Sequence, residues 1–273
     1  MDPLLLITND DGIQAAGIEV LATTLSSLGR VVVVAPESPQ SAVGHSITLH
    51  KPLRVHQIKP NWYVCSGSPV DCVYLGVNAL FKDDRPSVVV SGVNRGPNLG
   101  TDVLYSGTVS GAMEGRLLDI PSLAVSQTMA TEQEFAGGDG AELDFGTAAE
   151  LAATVVSAIL KGALKSPLLL NLNVPYDYDP QKGIRVATLG RRRYGNNAFR
   201  RIDPRGRPYY WIGGDVVGFD AISGSDCVEI DKGFATLTPV RADLTDTARL
   251  ESLEQWVVSL DEPTANDRST GEE

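Results

Sequence analysis

The chain has 273 residues, 42% hydrophobic and 6% aromatic, with a formal net charge of −11. That length suits one large α/β domain with an appendage, and the acidity excludes a broad nucleic-acid footprint. Three cysteines without metal-finger spacing, an apolar start too short for a signal core, and no apolar run near the length of a membrane span lead us to expect a reduced, cytoplasmic protein without a membrane anchor.

Leu4-Leu5-Leu6-Ile7-Thr8 reads as a buried strand running into Asn9-Asp10-Asp11-Gly12. Adjacent carboxylates at the carboxyl edge of a parallel sheet stand where open α/β folds bind ligands, and their mutual repulsion invites a hard divalent cation. A solvated strand-to-helix turn is the plainer reading of the same residues. Ile18, Leu21, Leu25 and Leu28 mark a helix of roughly three turns stopped at Gly29. Residues 31–35 form a second buried strand, which completes a βαβ unit.

Pro36 closes that strand, and residues 37–46 make a polar loop on the same edge as Asp10-Asp11. Of the three histidines (His45, His50 and His56) only His45 falls near it, with a loop-surface role expected. Residues 47–58 and 62–65 read as strands of a hairpin. Ser68-Pro69-Val70-Asp71 is a helix start, with a serine cap, proline at the first helical position and an acid three residues after the cap. Asp71 is therefore a capping residue, and Val70, Val73, Tyr74, Val77, Leu80 and Phe81 are expected to line the helix's buried face.

Residues 87–91 form another buried strand, followed by the polar, glycine-rich loop 92–100. Residues 106–115 read as a helix whose small first turns allow close approach, and whose free N–H groups attract anions. A short strand at 121–126, a turn at Gly137-Gly138-Asp139-Gly140, a long helix from Leu143 through Leu160 and a strand at 168–173 continue the alternation. Beyond residue 174 the texture changes: residues 182–207 carry nine Lys or Arg, and Asp203-Pro204-Arg205-Gly206 is a hairpin turn. Such an arm buries no face alone, so a partner subunit is its natural place. The arginines read first as a solvated face or as partners in salt bridges, with anionic-ligand binding as the alternative. A return strand at 234–238, a helix at 250–260 and a disordered tail at 261–273 complete the chain. The expected organisation is a Rossmann-like, doubly wound, mostly parallel core at 1–174, an oligomerisation arm at 175–260, and the tail.

In a parallel sheet the loops 9–12, 38–46 and 94–108 converge. Together they offer two carboxylates, hydroxyls, two asparagine amides and a helix N-terminus, a donor set suited to Mg²⁺, Mn²⁺ or Ca²⁺ beside a phosphate. Other machinery is missing: there is no G-x-x-x-x-G-K-[ST] loop, no G-x-G-x-x-G after the first strand, and no nucleophile elbow after a strand.

These stretches resemble the SurE family, the survival-protein nucleotidases. The resemblance is carried by Asn9-Asp10-Asp11-Gly12, Ser41 with Gly44-His45-Ser46-Ile47-Thr48-Leu49, Gly67-Ser68-Pro69-Val70-Asp71-Cys72-Val73, and Ser91 through Gly100. Tyr105-Ser106-Gly107-Thr108-Val109, Asn171-Leu172-Asn173-Val174-Pro175, Asp203-Pro204-Arg205-Gly206 with Tyr210-Trp211, and Thr236-Leu237-Thr238-Pro239 match in the same order, spanning roughly residues 4–245. The resemblance implies a metal-dependent phosphatase of nucleoside 5′- and 3′-monophosphates, with short polyphosphate as a further substrate in some members. It implies one divalent ion per subunit on Asp10, Asp11, Ser41 and Asn94, and a phosphate cradle of Asn98, Ser106, Gly107 and Thr108. It also implies homodimers or homotetramers built by exchange of the C-terminal arm. Two departures are visible: Gln40 stands where many relatives carry a basic residue, and Arg241 follows Val240 where many carry histidine.

The expected chemistry is single-metal phosphomonoester hydrolysis by water, with Asp10 as the favoured base and Asp11 mainly a ligand. An aspartate nucleophile forming a phosphoryl-enzyme is the alternative within enzymes. A non-catalytic metal- or nucleotide-binding regulatory module is the alternative outside them.

Overall fold

The computed structural model describes residues 2–130, 144–164, 168–195, 197–213 and 216–260. The expected turn at 137–140, the helix start at Leu143 and the disordered tail at 261–273 lie outside these residues. The chain divides into two compact units, Met1–Val240 and Arg241–Glu273.

The first unit is built on a nine-stranded sheet. In chain order its elements begin with β1 (Leu4–Thr8), α1 (Ala16–Leu25), β2 (Arg30–Pro36), β3 (Val55–Lys59), β4 (Trp62–Cys65), α2 (Pro69–Leu75) and β5 (Val88–Arg95). They continue with α3 (Gly107–Leu117), β6 (Ser122–Gln127), α4 (Gly146–Leu160), β7 (Leu169–Val174) and β8 (Ile184–Val186). The arm adds β9 (Arg192–Tyr194), β10 (Asn197–Ile202), β11 (Pro208–Gly213) and β12 (Val216–Phe219), before α5 (Asp226–Asp231) and β13 (Ala235–Pro239) return to the sheet. The spatial order is β3-β4-β2-β1-β5-β6-β7-β13-β8. Strands β4 through β7 run parallel, while β3 and β13 pair antiparallel with their neighbours. The chain leaves β1 toward β2 and β4, then returns to place β5 on the other side of β1. This reversal is the topological switch point of a doubly wound fold.

Alternation along β1 divides the core in two. Leu5 and Ile7 pack with α1 residues Ile18 and Leu21 and with α4, whereas Leu4 and Leu6 pack with Cys72 and Val73 of α2 and with Val77. All five residues of β1 are buried, as a strand covered on both faces requires.

Two local expectations need correction. Only β3 is strand within residues 47–58; the preceding segment is pinned by side chains, Thr48 donating to Asp71 through N (2.8 Å) and Oγ1 (2.7 Å). The helix after Ser68 widens at Gly76–Leu80 into a π-helical turn, which changes the angular position of its last residues. Leu80, within that turn, is exposed, as is Tyr74 ahead of it, while Val70, Val73 and Val77 are buried. The capping box at its start is complete: Ser68 Oγ accepts from Asp71 N, and Asp71 Oδ2 accepts from Ser68 N.

In the arm, β10 and β11 form an antiparallel hairpin whose turn is organised by Asp203. Its carboxylate accepts from the backbone N–H groups of Arg205 and Arg207 and from Arg207 Nε. Every residue of β10 is exposed. The second unit contains a short 3₁₀ turn, Thr247–Arg249, leading into α6 (Leu250–Leu260), where Leu253, Trp256 and Val257 are exposed.

Candidate active site

The carboxyl ends of β1 and β5 meet at the switch point, and a cavity of about 400 Å³ opens there. Asp10, Asp11, Ser41, Asn94, Asn98 and Ser106 all line it, drawn from three loops separated in sequence. Gly107 and Thr108 lie behind Asp10: a Cβ at Gly107 would meet Asp10 Cβ at 2.6 Å, and Thr108 Oγ1 donates to Asp10 Oδ1. Only glycine therefore lets the first turn of α3 press onto this carboxylate.

Backbone bonds hold the constellation. Asn9 Nδ2 donates to Gly12 O at 2.9 Å, and Gly12 adopts φ +95°, a conformation side chains resist. Gln40 N donates to Asp10 O at 2.7 Å, which ties the Ser41 loop to the end of β1. Asp11 Oδ2 accepts from Arg95 N at 3.1 Å, linking β1 to β5. Asn94 donates Nδ2 to Gly96 O at 2.7 Å, which turns its Oδ1 to the role of acceptor or ligand. Asn98 is fixed through its backbone: its N–H donates to Asn173 Oδ1 and its carbonyl accepts from Asn171 and Asn173, while its Nδ2 donates to Ser126 Oγ. Ser106 caps α3, its Oγ accepting from Val109 N at 3.0 Å.

The electrostatics of the pair are those of a charge awaiting a counterion. Asp10 is 6% exposed. Burial pushes its carboxyl up to about 6; the Thr108 hydrogen bond opposes the rise, and the Asp11 charge adds to it. Burial also raises Asp11, against the N–H and charge of Arg95. The amide oxygen of Asn9, beside them, is buried without a hydrogen-bond partner. Among the described residues no three His, Cys, Asp or Glu side chains converge as a metal cluster. A cation here would use two carboxylates, a hydroxyl and an amide oxygen. These all-oxygen donors, with an uncompensated carboxylate, fit a hard divalent ion.

His45 stands on the loop surface, but its Nε2 lies 3.2 Å from Oε2 of Glu114, a buried carboxylate on α3. The pair straps the Ser41 loop to the helix that bears Ser106.

Sequence reasoning missed one wall of the cavity, made by Asp102, Tyr105, Arg192 and Tyr194. Arg192 Nη1 lies 2.8 Å from Asp102 Oδ2, and Tyr194 Oη donates to the same oxygen. Burial and the Asp102 bond hold the Tyr194 phenol above its usual range. Asp226 secures this wall from below: its Oδ2 accepts from Gly100 N, and its Oδ1 from Gly190 N and Cys227 N. The only sequence signal was the basic run itself, and four of its arginines are paired with acids: Arg185, Arg192, Arg193 and Arg207.

Fold and site define a Rossmann-like α/β protein with an acidic, helix-capped cavity at its switch point. The chain belongs to the SurE family, as three comparisons show. The family model described as survival protein SurE matches residues 5–196. The 5′-nucleotidase SurE of Syntrophotalea carbinolica is 44% identical over 253 residues, covering 93% of this chain and 97% of the relative. That of Anaeromyxobacter dehalogenans is 46% identical over 256 residues, covering 93% and 96%. The crystal structure of the SurE protein from Aquifex aeolicus superposes with a TM-score of 0.79 at 39% identity, covering 93% of this chain and all of that one.

Proposed function

We propose that this chain is a divalent-metal-dependent phosphomonoesterase that hydrolyses nucleoside 5′- and 3′-monophosphates to nucleoside and phosphate. The observation that carries the reading is the buried Asp10-Asp11 pair sharing one cavity with the capped N-terminus of α3. Relatives described as 5′-nucleotidases support it across nearly the whole chain. Proteins of this family are generally metal-dependent.

Asp10, Asp11, Ser41 and Asn94 would hold one Mg²⁺ or Mn²⁺. When bound, such an ion neutralises phosphate charge and acidifies water, which makes a nucleophile at neutral pH. The chain's own groups do the rest. Asp10 accepts the proton of the attacking water, its carboxylate held in orientation by Thr108. Ser106, Asn98 and the backbone N–H of Gly107 receive the phosphate oxygens, with Thr108 supporting them through Asp10. Arg95 and Arg192 add positive charge to the cavity wall.

The test is phosphate release from AMP, GMP, 3′-AMP and short polyphosphate by metal-stripped protein, alone and with each divalent ion. Absence of metal-dependent release from all of them overturns the reading in favour of a binding module. Acid-quench trapping with labelled substrate decides the nucleophile: water leaves no label on the protein, an aspartate does.

The family's proteins oligomerise, and we assign that role here to residues 175–260 as an exchanged arm around the core at 1–174. Support comes from the exposed apolar side chains of the hairpin, Phe199, Trp211 and Ile212, the last 96% exposed. No described helix is long and apolar enough to cross a membrane. The free, buried thiols Cys65, Cys72 and Cys227 suit our assignment to the cytoplasm.

A further inference from the structure

Catalysis on a phosphate needs only the polar end of this cavity. A volume of about 400 Å³ falls in the range of sites that enclose a whole small molecule, well beyond one phosphate and one ion. The remainder is bounded by Tyr105, Tyr194 and Met129 together with the charged side chains Arg95, Asp102 and Arg192.

The two tyrosines are held differently from ordinary surface residues. Tyr105 immediately precedes the cap Ser106, so its ring stands one residue from the helix end proposed to receive phosphate. Its backbone is clamped on both sides: N donates to Asp102 O at 2.9 Å, and O accepts from Gly44 N at 3.1 Å. Yet its ring is left 68% exposed. Tyr194 reaches the same cavity from the arm, its hydroxyl fixed on Asp102 and its ring centroid 5.6 Å from the Arg192 guanidinium. Asp102 thus fixes the Tyr194 ring through its carboxylate and the Tyr105 backbone through its carbonyl. One aromatic face held by Asp102 and a second exposed at the cavity, both beside a phosphate site, match a planar heterocycle, which stacks on a ring with little dependence on which base it is.

We propose that Tyr105 and Tyr194 form the leaving-group subsite, which takes the nucleobase of a nucleoside monophosphate while the phosphate lies at Ser106 and the Asp10-Asp11 pair. The proposal rests on the phosphomonoesterase reading and names the feature by which the site recognises a nucleotide rather than any phosphate ester. Asp102 is a positioning residue in it, acting through the Tyr194 ring, the Tyr105 backbone and Arg192.

The experiment compares AMP with ribose 5-phosphate, which lacks the base, at one fixed metal concentration. In Tyr105→Ala and in Tyr194→Ala the ratio of kcat/KM for AMP over ribose 5-phosphate falls about tenfold, through KM for AMP, the size of one lost base stack. Tyr105→Phe and Tyr194→Phe keep the ring and keep the ratio. An unchanged ratio in both alanine variants, or parallel losses on both esters, overturns the subsite. If the wild type hydrolyses neither ester, the phosphomonoesterase reading fails by itself. Calorimetric titration with AMP and with ribose 5-phosphate in chelator then decides the subsite. Loss in the alanine variants of a wild-type preference for AMP supports it; no preference, or a preference they retain, overturns it.

Discussion

The carboxyl edge of β1 and β5 and the arm from β9 to β12 are built on opposite terms. At the edge every residue of β1 is buried, the loops are tied by backbone bonds, and glycines stand where no side chain fits. In the arm β10 is exposed throughout, and its hairpin is held by its own ladder and by one aspartate at the turn. The edge can hold an uncompensated carboxylate because the surrounding packing over-determines its position. Within the arm β9 is tied to the core through Arg192 and Tyr194 on Asp102, whereas the apolar side chains of the β10–β11 hairpin stay exposed. Rigidity is concentrated where charge must be placed, and exposure in the hairpin of the arm.

The largest effects of substitution are expected at the edge. Asp11→Asn is expected to lower kcat by 10²–10³, about 2.7–4 kcal/mol of lost transition-state stabilisation, and to weaken metal binding. Near-normal turnover at limiting metal would remove Asp11 from the site. Asp10→Asn should be similarly inactive, yet metal-stripped Asp10→Asn should melt above metal-stripped wild type at pH 7, because the substitution removes a buried charge.

Next in size is Gly17→Ala. A Cβ there would lie 2.1 Å from Val93 O, so α1 and the end of β5 must part. The substitution should cost about 3 kcal/mol, despite alanine's better helix propensity, and lower the melting temperature by about 6–12 °C. A variant as stable as wild type in thermal unfolding would show that this edge is softer than its contacts imply.

His45→Ala leaves Glu114 buried without its partner and should cost about 1–3 kcal/mol. Glu114→Gln introduced on top should recover part of that loss in denaturant unfolding. Additive losses would mean that the two side chains do not act as a pair.

The smallest effect on the protomer is expected in the arm. Ile212→Ser, at a position 96% exposed, should change protomer stability by less than about 0.5 kcal/mol while weakening self-association measured by light scattering. Oligomers that persist unchanged would place the interface elsewhere.

Much of the edge was legible because its signals are local. An apolar run ending in Asp-Asp-Gly, a serine cap followed by proline and aspartate, and strands alternating with helices are short-range patterns with short-range causes. The basic run was legible as charge but not as structure. Nothing near Arg192 in the sequence marks it as the partner of Asp102, 90 residues earlier. The misplaced strand over residues 47–58 has the same origin, since the bonds from Thr48 to Asp71 that replace a ladder span 23 residues.

The β1 strand, the Ser68 cap, the alternation of strands with helices and the edge at which the acids gather could all be read from the sequence. These follow from periodicity, capping and turn chemistry within a few residues. That Thr108 holds Asp10 across 98 residues, that Glu114 holds His45, and that Tyr194 and Arg192 complete the cavity wall emerges only in the folded chain. Each of those pairings is set by how the strands stack across the switch point. Chain proximity plays no part in it, so no local pattern could announce them.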